Sequence, residues 1–196
     1  MKLILASTSP RRKELLQQIG IKFQQMNIDI NEDVSLNENP ANYVLRMAEE
    51  KASAGFKQLT PIEQQNVVVL AADTTVVCDG EVLAKPQSLI HSKTILNQLS
   101  GRQHTVMTAI ACQNLDRNYQ QLVTTEVTFR KLTESEIEAY WLTGEPQDKA
   151  GSYGIQGLAA IFVEKIHGSY SNVVGLPLCE TAELLKKFEI PLWQNK

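Results

Sequence analysis

The sequence predicts an α/β protein, a mixed sheet with flanking helices, and two observations carry that expectation. Short apolar, β-branched runs alternate with segments of helical period early in the chain. Two long alternating runs then intervene before the last helices. Leu3-Ile-Leu-Ala6 marks a strand at about 2–6, and Lys13-Glu-Leu-Leu-Gln-Gln-Ile19 lies in a helix over about 10–19 that Gly20 stops. A second strand is assigned within 21–30, followed by the acidic stretch Asn31-Glu-Asp-Val-Ser-Leu-Asn-Glu38. Asn39-Pro40 is a cap and a first-turn proline, after which Val44, Met47, Ala48 and Ala52 recur at helical spacing, with Gly55 near the stop. Val67 to Val77 reads as a strand interrupted at Asp73-Thr74-Thr75, and Asp79-Gly80 as a hairpin turn into Glu81-Val-Leu-Ala84. Residues 89–100 form a helix ended by Gly101, and 103–114 and 120–130 alternate as two paired strands. Thr133-Glu-Ser-Glu136 is a capping box opening a helix that Gly144 ends, before a strand at about 159–166 and a final helix at about 177–188.

The bulk composition excludes several classes. A chain of 196 residues, 43% hydrophobic and 21% charged, can bury one substantial core, and nothing in it reads as a linker or repeat. It is therefore treated as a single domain over 1–196. A net charge of −3 gives no general basis for nucleic-acid binding. No apolar run approaches the roughly 20 residues that span a bilayer, and Lys2 followed by a short strand into Ser-Pro-Arg-Arg is not a secretory signal. Cys78, Cys112 and Cys179 lack metal-ligand spacing and read as reduced core thiols of a cytoplasmic protein.

Several segments could carry chemistry. Ser7-Thr-Ser-Pro-Arg-Arg12 sits at a strand-to-helix junction. With Ser9 as cap and Pro10 in the first position, free backbone N–H groups and the guanidinium groups of Arg11 and Arg12 would converge on an anion. The alternative is a capped surface helix with a solvated basic start. Asp73 lies inside an apolar run, where a carboxylate is costly unless paired, solvated or bound to metal. Thr74 adds a hydroxyl beside it. Glu32 and Asp33 occupy the acidic loop; folded towards Asp73, they would suit Mg²⁺ or Mn²⁺, which prefer oxygen ligands. Lys51 and Lys85 are each either a surface group or a point charge for polyphosphate. In Asp148-Lys-Ala-Gly-Ser-Tyr-Gly-Ile-Gln-Gly157 the glycines permit close approach to a ligand, Lys149 can meet phosphate, and Gln156 can donate to and accept from a base edge. A tight structural loop is the other reading of that segment.

Taken together these blocks resemble the Maf family of nucleoside triphosphate pyrophosphatases along essentially the whole chain. The matching segments are Ile4-Leu-Ala-Ser-Thr-Ser-Pro-Arg-Arg12, Glu50-Lys-Ala52, Ala72-Asp-Thr74, Lys85-Pro86, His104-Thr-Val-Met-Thr-Ala109, Asp148 to Gly157, and Val174-Gly-Leu-Pro177. The resemblance implies a curved mixed sheet, two lobes around a deep nucleotide cleft, a divalent cation, and cleavage between the α- and β-phosphates. It makes Asp73 the acceptor of a proton from water, leaving open whether Asp73 is also a metal ligand with Glu32. It assigns substrate binding to Ser7, Arg11, Arg12, Lys51, Thr74, Lys85, Lys149 and Gln156, and suggests a homodimer.

Two branches of the family differ at positions that can be read here. The branch acting on 7-methyl-GTP has Trp after the Ser-Pro, Gln after the catalytic Asp and Glu in the late glycine-rich block. This chain has Arg11, Thr74 and Gln156 and resembles the dTTP/UTP branch. An amide can both donate to and accept from a uracil or thymine edge, whereas a carboxylate only accepts. Action on modified pyrimidine nucleotides, and a regulatory nucleotide-binding role in inhibiting septum formation without catalysis, are the competing expectations.

Overall fold

A computed structural model describes residues 1–194. Its strands are β1 (Lys2–Ala6), β2 (Gln24–Met26), β3 (Val67–Cys78), β4 (Glu81–Leu83), β5 (Gln103–Gln113), β6 (Asn118–Phe129) and β7 (Val163–His167). They form a mixed sheet ordered β2-β1-β3-β5-β6-β7, with β4 added antiparallel to β3. The helices are α1 (Pro10–Gln18), α2 (Pro40–Lys57), α3 (Pro61–Gln64), α4 (Leu89–Leu99), α5 (Glu134–Leu142), α6 (Tyr170–Val174) and α7 (Leu178–Lys187).

The chain divides into two compact units. The first comprises Met1–Asp73, Thr108–Val123 and Gly175–Lys196. Here β1 runs parallel to both β2 and β3, with Leu3 opposite Val68 and Leu5 opposite Leu70. Leu3 to Ala6 and Val67 to Ala72 are buried without alternation, as expected of parallel strands covered on both faces. Val44, Met47, Ala48 and Ala52 form the buried stripe of α2, and Asn39 caps that helix by accepting from the Asn42 N–H at 2.9 Å. The second unit comprises Thr74–Met107 and Thr124–Val174. Its core is aromatic: Phe129 meets Tyr153 edge-on at 4.7 Å and His104 at 4.9 Å, and Tyr140 meets Phe162 at 5.1 Å. Thr133 and Glu136 make the expected reciprocal capping box at the start of α5.

Several expectations need correction. The second strand is only Gln24–Met26, because as the edge strand it pairs solely with residues 4–6 of β1. β3 is not interrupted at Asp73-Thr74-Thr75; the backbone ladder continues while the Asp73 side chain finds a cationic partner. Residues 158–162 are a 3₁₀ turn, and the strand begins only at Val163. Two short helices go beyond the elements expected from sequence: α3, opened by a Thr60–Glu63 capping box, and α6. Ser9 occupies the cap position of α1 with Pro10 next, yet its side chain makes no capping bond. Cys78 and Cys112 are buried thiols, whereas Cys179 is exposed and so is not a core residue. Among the described residues no helix is long and apolar enough to cross a membrane.

Candidate active site

Asp73 ends the first-unit half of β3, and Lys51 projects from the fourth turn of α2. The Lys51 ammonium donates to Asp73 Oδ1 at 2.7 Å and lies 2.5 Å from Glu32 Oε1. Side-chain exposure is 12% for Lys51 and 13% for Asp73, against 49% for Glu32, so one ion pair is sheltered and the other reaches solvent. Two carboxylates thus share one cation, an arrangement that resolves the cost of placing Asp73 in an apolar strand.

The loop Ser7–Ser9 is tied at several points. Ser7 Oγ accepts from the Ser9 N–H at 3.2 Å and from Arg12 Nη1 at 3.4 Å, and its carbonyl accepts from Gln25 Nε2 at 3.1 Å. Arg12 Nε donates to the Gly175 carbonyl at 2.8 Å, which gives the Val174-Gly-Leu-Pro177 block a defined role in aiming that guanidinium. Burial lowers the Arg12 pKa; Asp73 opposes the shift, Arg11 adds to it by repulsion, and Glu32 opposes it. Ser7, Arg11, Arg12, Glu32, Lys51 and Asp73 therefore belong to one unit, and electrostatic coupling links Arg12 to both carboxylates.

Thr74, Lys85, Lys149 and Gln156 lie in the second unit. Lys85 and Gln156 are exposed. The Lys149 ammonium donates to the Glu145 carbonyl at 2.8 Å and to Asp148 Oδ1 at 2.7 Å, and its side chain is 14% exposed. The glycine-rich segment is largely a packed loop. A Cβ on Gly151 would lie 2.8 Å from Val76 Cγ2, and one on Gly154 would lie 2.7 Å from Lys149 Cε. One on Gly157 would strike the Glu145 carboxylate. The close approaches that these glycines allow are to the chain's own side chains.

Glu145 organises that loop by accepting from Leu158 N–H at 2.8 Å, Ala159 N–H at 3.4 Å and Tyr140 OH at 2.8 Å. Burial would raise its pKa, but these bonds and Lys149 outweigh it and hold it below the usual carboxylate value. A carboxylate at the opening N–H groups also explains why residues 158–162 wind into a helical turn instead of a strand. His104 donates or accepts at Tyr153 OH, 2.9 Å away, and burial lowers its pKa to about 4. The His104-Thr-Val-Met-Thr-Ala109 block thus contributes a buried core histidine.

Sequence reading missed Tyr43, Arg46 and Glu145. Tyr43 OH donates to the Glu32 carbonyl at 3.0 Å, and burial, then Asp73 and Glu32, push its pKa to about 12. Arg46 binds Glu38, Glu50 and the Asp33 carbonyl. The available signal was spacing: Tyr43, Arg46 and Glu50 recur along α2 one turn apart, beside Lys51. Two concavities on the first unit are lined by other residues, one of about 370 Å³ around Lys13 and Phe23 and one of about 340 Å³ around Met26 and Ile62.

Comparison with known proteins gives a consistent result. A family model described as Maf-like protein matches residues 2–188. A dTTP/UTP pyrophosphatase of Vibrio vulnificus (strain YJ016) is 52% identical over 187 residues, covering 95% of this chain and 98% of that protein. Proteins with the same name from Colwellia psychrerythraea (strain 34H) and Hahella chejuensis are 55% and 48% identical, over 94% and 99% of this chain and 87% and 96% of theirs. From the basic loop at its start to the Gly175 carbonyl that aims Arg12, the chain belongs to the Maf family.

Proposed function

We propose that this protein hydrolyses dTTP and UTP to the nucleoside monophosphate and pyrophosphate. The observation that carries the reading is the Lys51 ammonium held between Asp73 and Glu32, at 2.7 and 2.5 Å, with Arg12 coupled to both carboxylates. The relatives named dTTP/UTP pyrophosphatase, at about half identity over nearly the full length, support the same substrate class.

Asp73 and Glu32 fit a hard divalent cation, since an ammonium already stands where such an ion would sit and both ligands are carboxylates. Mg²⁺ is commonly held by one or two carboxylates plus phosphate oxygens, and Asp73 and Glu32 supply two carboxylates. When bound, Mg²⁺ or Mn²⁺ would neutralise charge on the phosphate oxygens.

Ser7, Arg11, Arg12 and Lys51 bind the triphosphate, and Lys85, Lys149 and Thr74 are assigned to it by their place in the family motifs. Arg12 is aimed by Ser7 and the Gly175 carbonyl. Asp73 accepts a proton from the attacking water as oxygen adds to phosphorus and the α–β anhydride bond breaks, releasing pyrophosphate. Gln156 reads the pyrimidine edge. The test is pyrophosphate release from dTTP, UTP, CTP, GTP and 7-methyl-GTP with Mg²⁺ or Mn²⁺. Preference for dTTP and UTP is expected; preference for 7-methyl-GTP, or binding without release, would overturn the assignment.

A further inference from the structure

Residues 27–39, which carry Glu32, contain no helix or strand, only a turn at Leu36-Asn37. A segment of that kind presents a carboxylate reproducibly only if something holds its backbone. In this chain the holding groups are two side chains one turn apart on α2. Tyr43 OH donates to the Glu32 carbonyl at 3.0 Å, and Arg46 Nη2 donates to the Asp33 carbonyl at 2.9 Å. Consecutive carbonyls are thus fixed, while the Glu32 side chain turns to Lys51.

Arg46 does more than one bond requires. Its Nε and Nη2 each donate to a Glu38 oxygen at 2.7 Å, a bidentate pair that closes the far end of the loop. Nη1 reaches Glu50 at 3.3 Å on the same helix, and the guanidinium lies 5.8 Å from the Tyr43 ring centre. Glu38 is only 10% exposed at its side chain and Arg46 28%, so the clasp is partly sheltered. Hydrogen bonding from Arg46, then from the Ser35 N–H, lowers the Glu38 pKa to about 2. The clasp therefore stays charged through the neutral range.

We infer that Arg46, assisted by Tyr43, is a positioning residue for Glu32, fixing the acidic loop so that this carboxylate faces Lys51 and Asp73. The inference rests on the functional reading above, in which Glu32 helps hold a divalent cation. Lysine cannot replace Arg46 fully, because one ammonium cannot span both Glu38 oxygens and the Asp33 carbonyl in the same fork.

The experiment is a double-mutant cycle on the full-length protein. Mn²⁺ binding is read by electron paramagnetic resonance for wild type, Arg46→Ala, Glu32→Gln and the double variant. Mg²⁺ activation of pyrophosphate release is measured alongside. Arg46→Ala weakens Mn²⁺ binding by about tenfold, in the range seen when groups that orient metal ligands are removed. Arg46→Lys recovers part of the loss, and Tyr43→Phe, losing one hydrogen bond, weakens binding by roughly two- to tenfold. In the Glu32→Gln background Arg46→Ala has little further effect, which a residue serving only stability would not show. Where Arg46→Ala fails to fold, Arg46→Lys and Tyr43→Phe carry the same cycle. Independent, additive losses would overturn the inference, as would unchanged Mn²⁺ binding in Arg46→Ala or a wild type that holds no Mn²⁺. A wild type that binds Mn²⁺ but releases no pyrophosphate would strike the functional reading and leave the cycle to decide this one.

Discussion

Gly151→Ala is expected to destabilise the second unit sharply, for two separable reasons. Gly151 has φ +68°, a left-handed conformation that costs an L-residue about 1–2 kcal/mol. In addition, a Cβ there would lie 2.8–2.9 Å from three Val76 atoms, Cβ, Cγ1 and Cγ2, closer than carbon atoms pack. Val76 sits in β3 and is 4% exposed, so it cannot swing away, and overpacking of this kind costs about 1–3 kcal/mol. The total is about 2–5 kcal/mol, which for a chain of this size lowers Tm by roughly 4–20 °C. Gly144→Ala is the matched control: its φ is +78°, yet nothing lies within 4 Å of the added Cβ. It should lose only the backbone part, about 1–2 kcal/mol. Thermal and urea unfolding of both variants would check the difference. A Gly151→Ala protein within about 0.5 kcal/mol of wild type, or no worse than Gly144→Ala, would refute the packing account.

Two further predictions concern pH and specificity. Burial lowers the His104 pKa from 6.5 to about 4, so between these values the unfolded chain binds a proton that the folded chain does not. The contribution is fully present above about pH 6.5 and is lost as pH falls towards 4; urea unfolding across that window should show a declining stability that His104→Phe flattens, and an imidazole NMR signal still neutral at pH 5.5 would agree. Gln156→Glu should cut kcat/KM for dTTP and UTP by at least about tenfold, since a carboxylate cannot donate to the base edge; steady-state kinetics on both substrates would check it.

Elements with local signals were legible in the sequence. Asn39-Pro40 capped α2, Thr133 to Glu136 capped α5, and Asp79-Gly80 turned β3 into β4, with positive φ at both turn residues. Errors arose where a distant group decides. The length of β2 is set by the three β1 residues that it pairs with, and the 158–162 turn by Glu145. The interruption expected at Asp73 was a misreading of polarity as a backbone break, because Lys51, distant in sequence, supplies the counter-charge. Ser9 followed the capping pattern without making the capping bond.

The site divides the same way. Residue type and setting singled out Asp73, and the basic loop signalled an anion, but neither indicated that Gly175 would aim Arg12. The acidic loop offers Glu32 and Asp33 alike, and only the resemblance to the Maf family favours Glu32. The structure separates them: the Glu32 side chain meets Lys51, while Asp33 offers its carbonyl to Arg46. The glycines of the 151–157 segment carried two readings, and packing against Val76, Lys149 and Glu145 accounts for their spacing.

The most direct test of the central claim is ³¹P NMR of dTTP incubated with Mg²⁺ and either wild-type protein or Asp73→Asn. The account predicts dTMP and pyrophosphate from wild type, and a rate about 10²–10⁴-fold lower from a folded Asp73→Asn protein. Appearance of dTDP and orthophosphate, or near-wild-type turnover by Asp73→Asn, would contradict it.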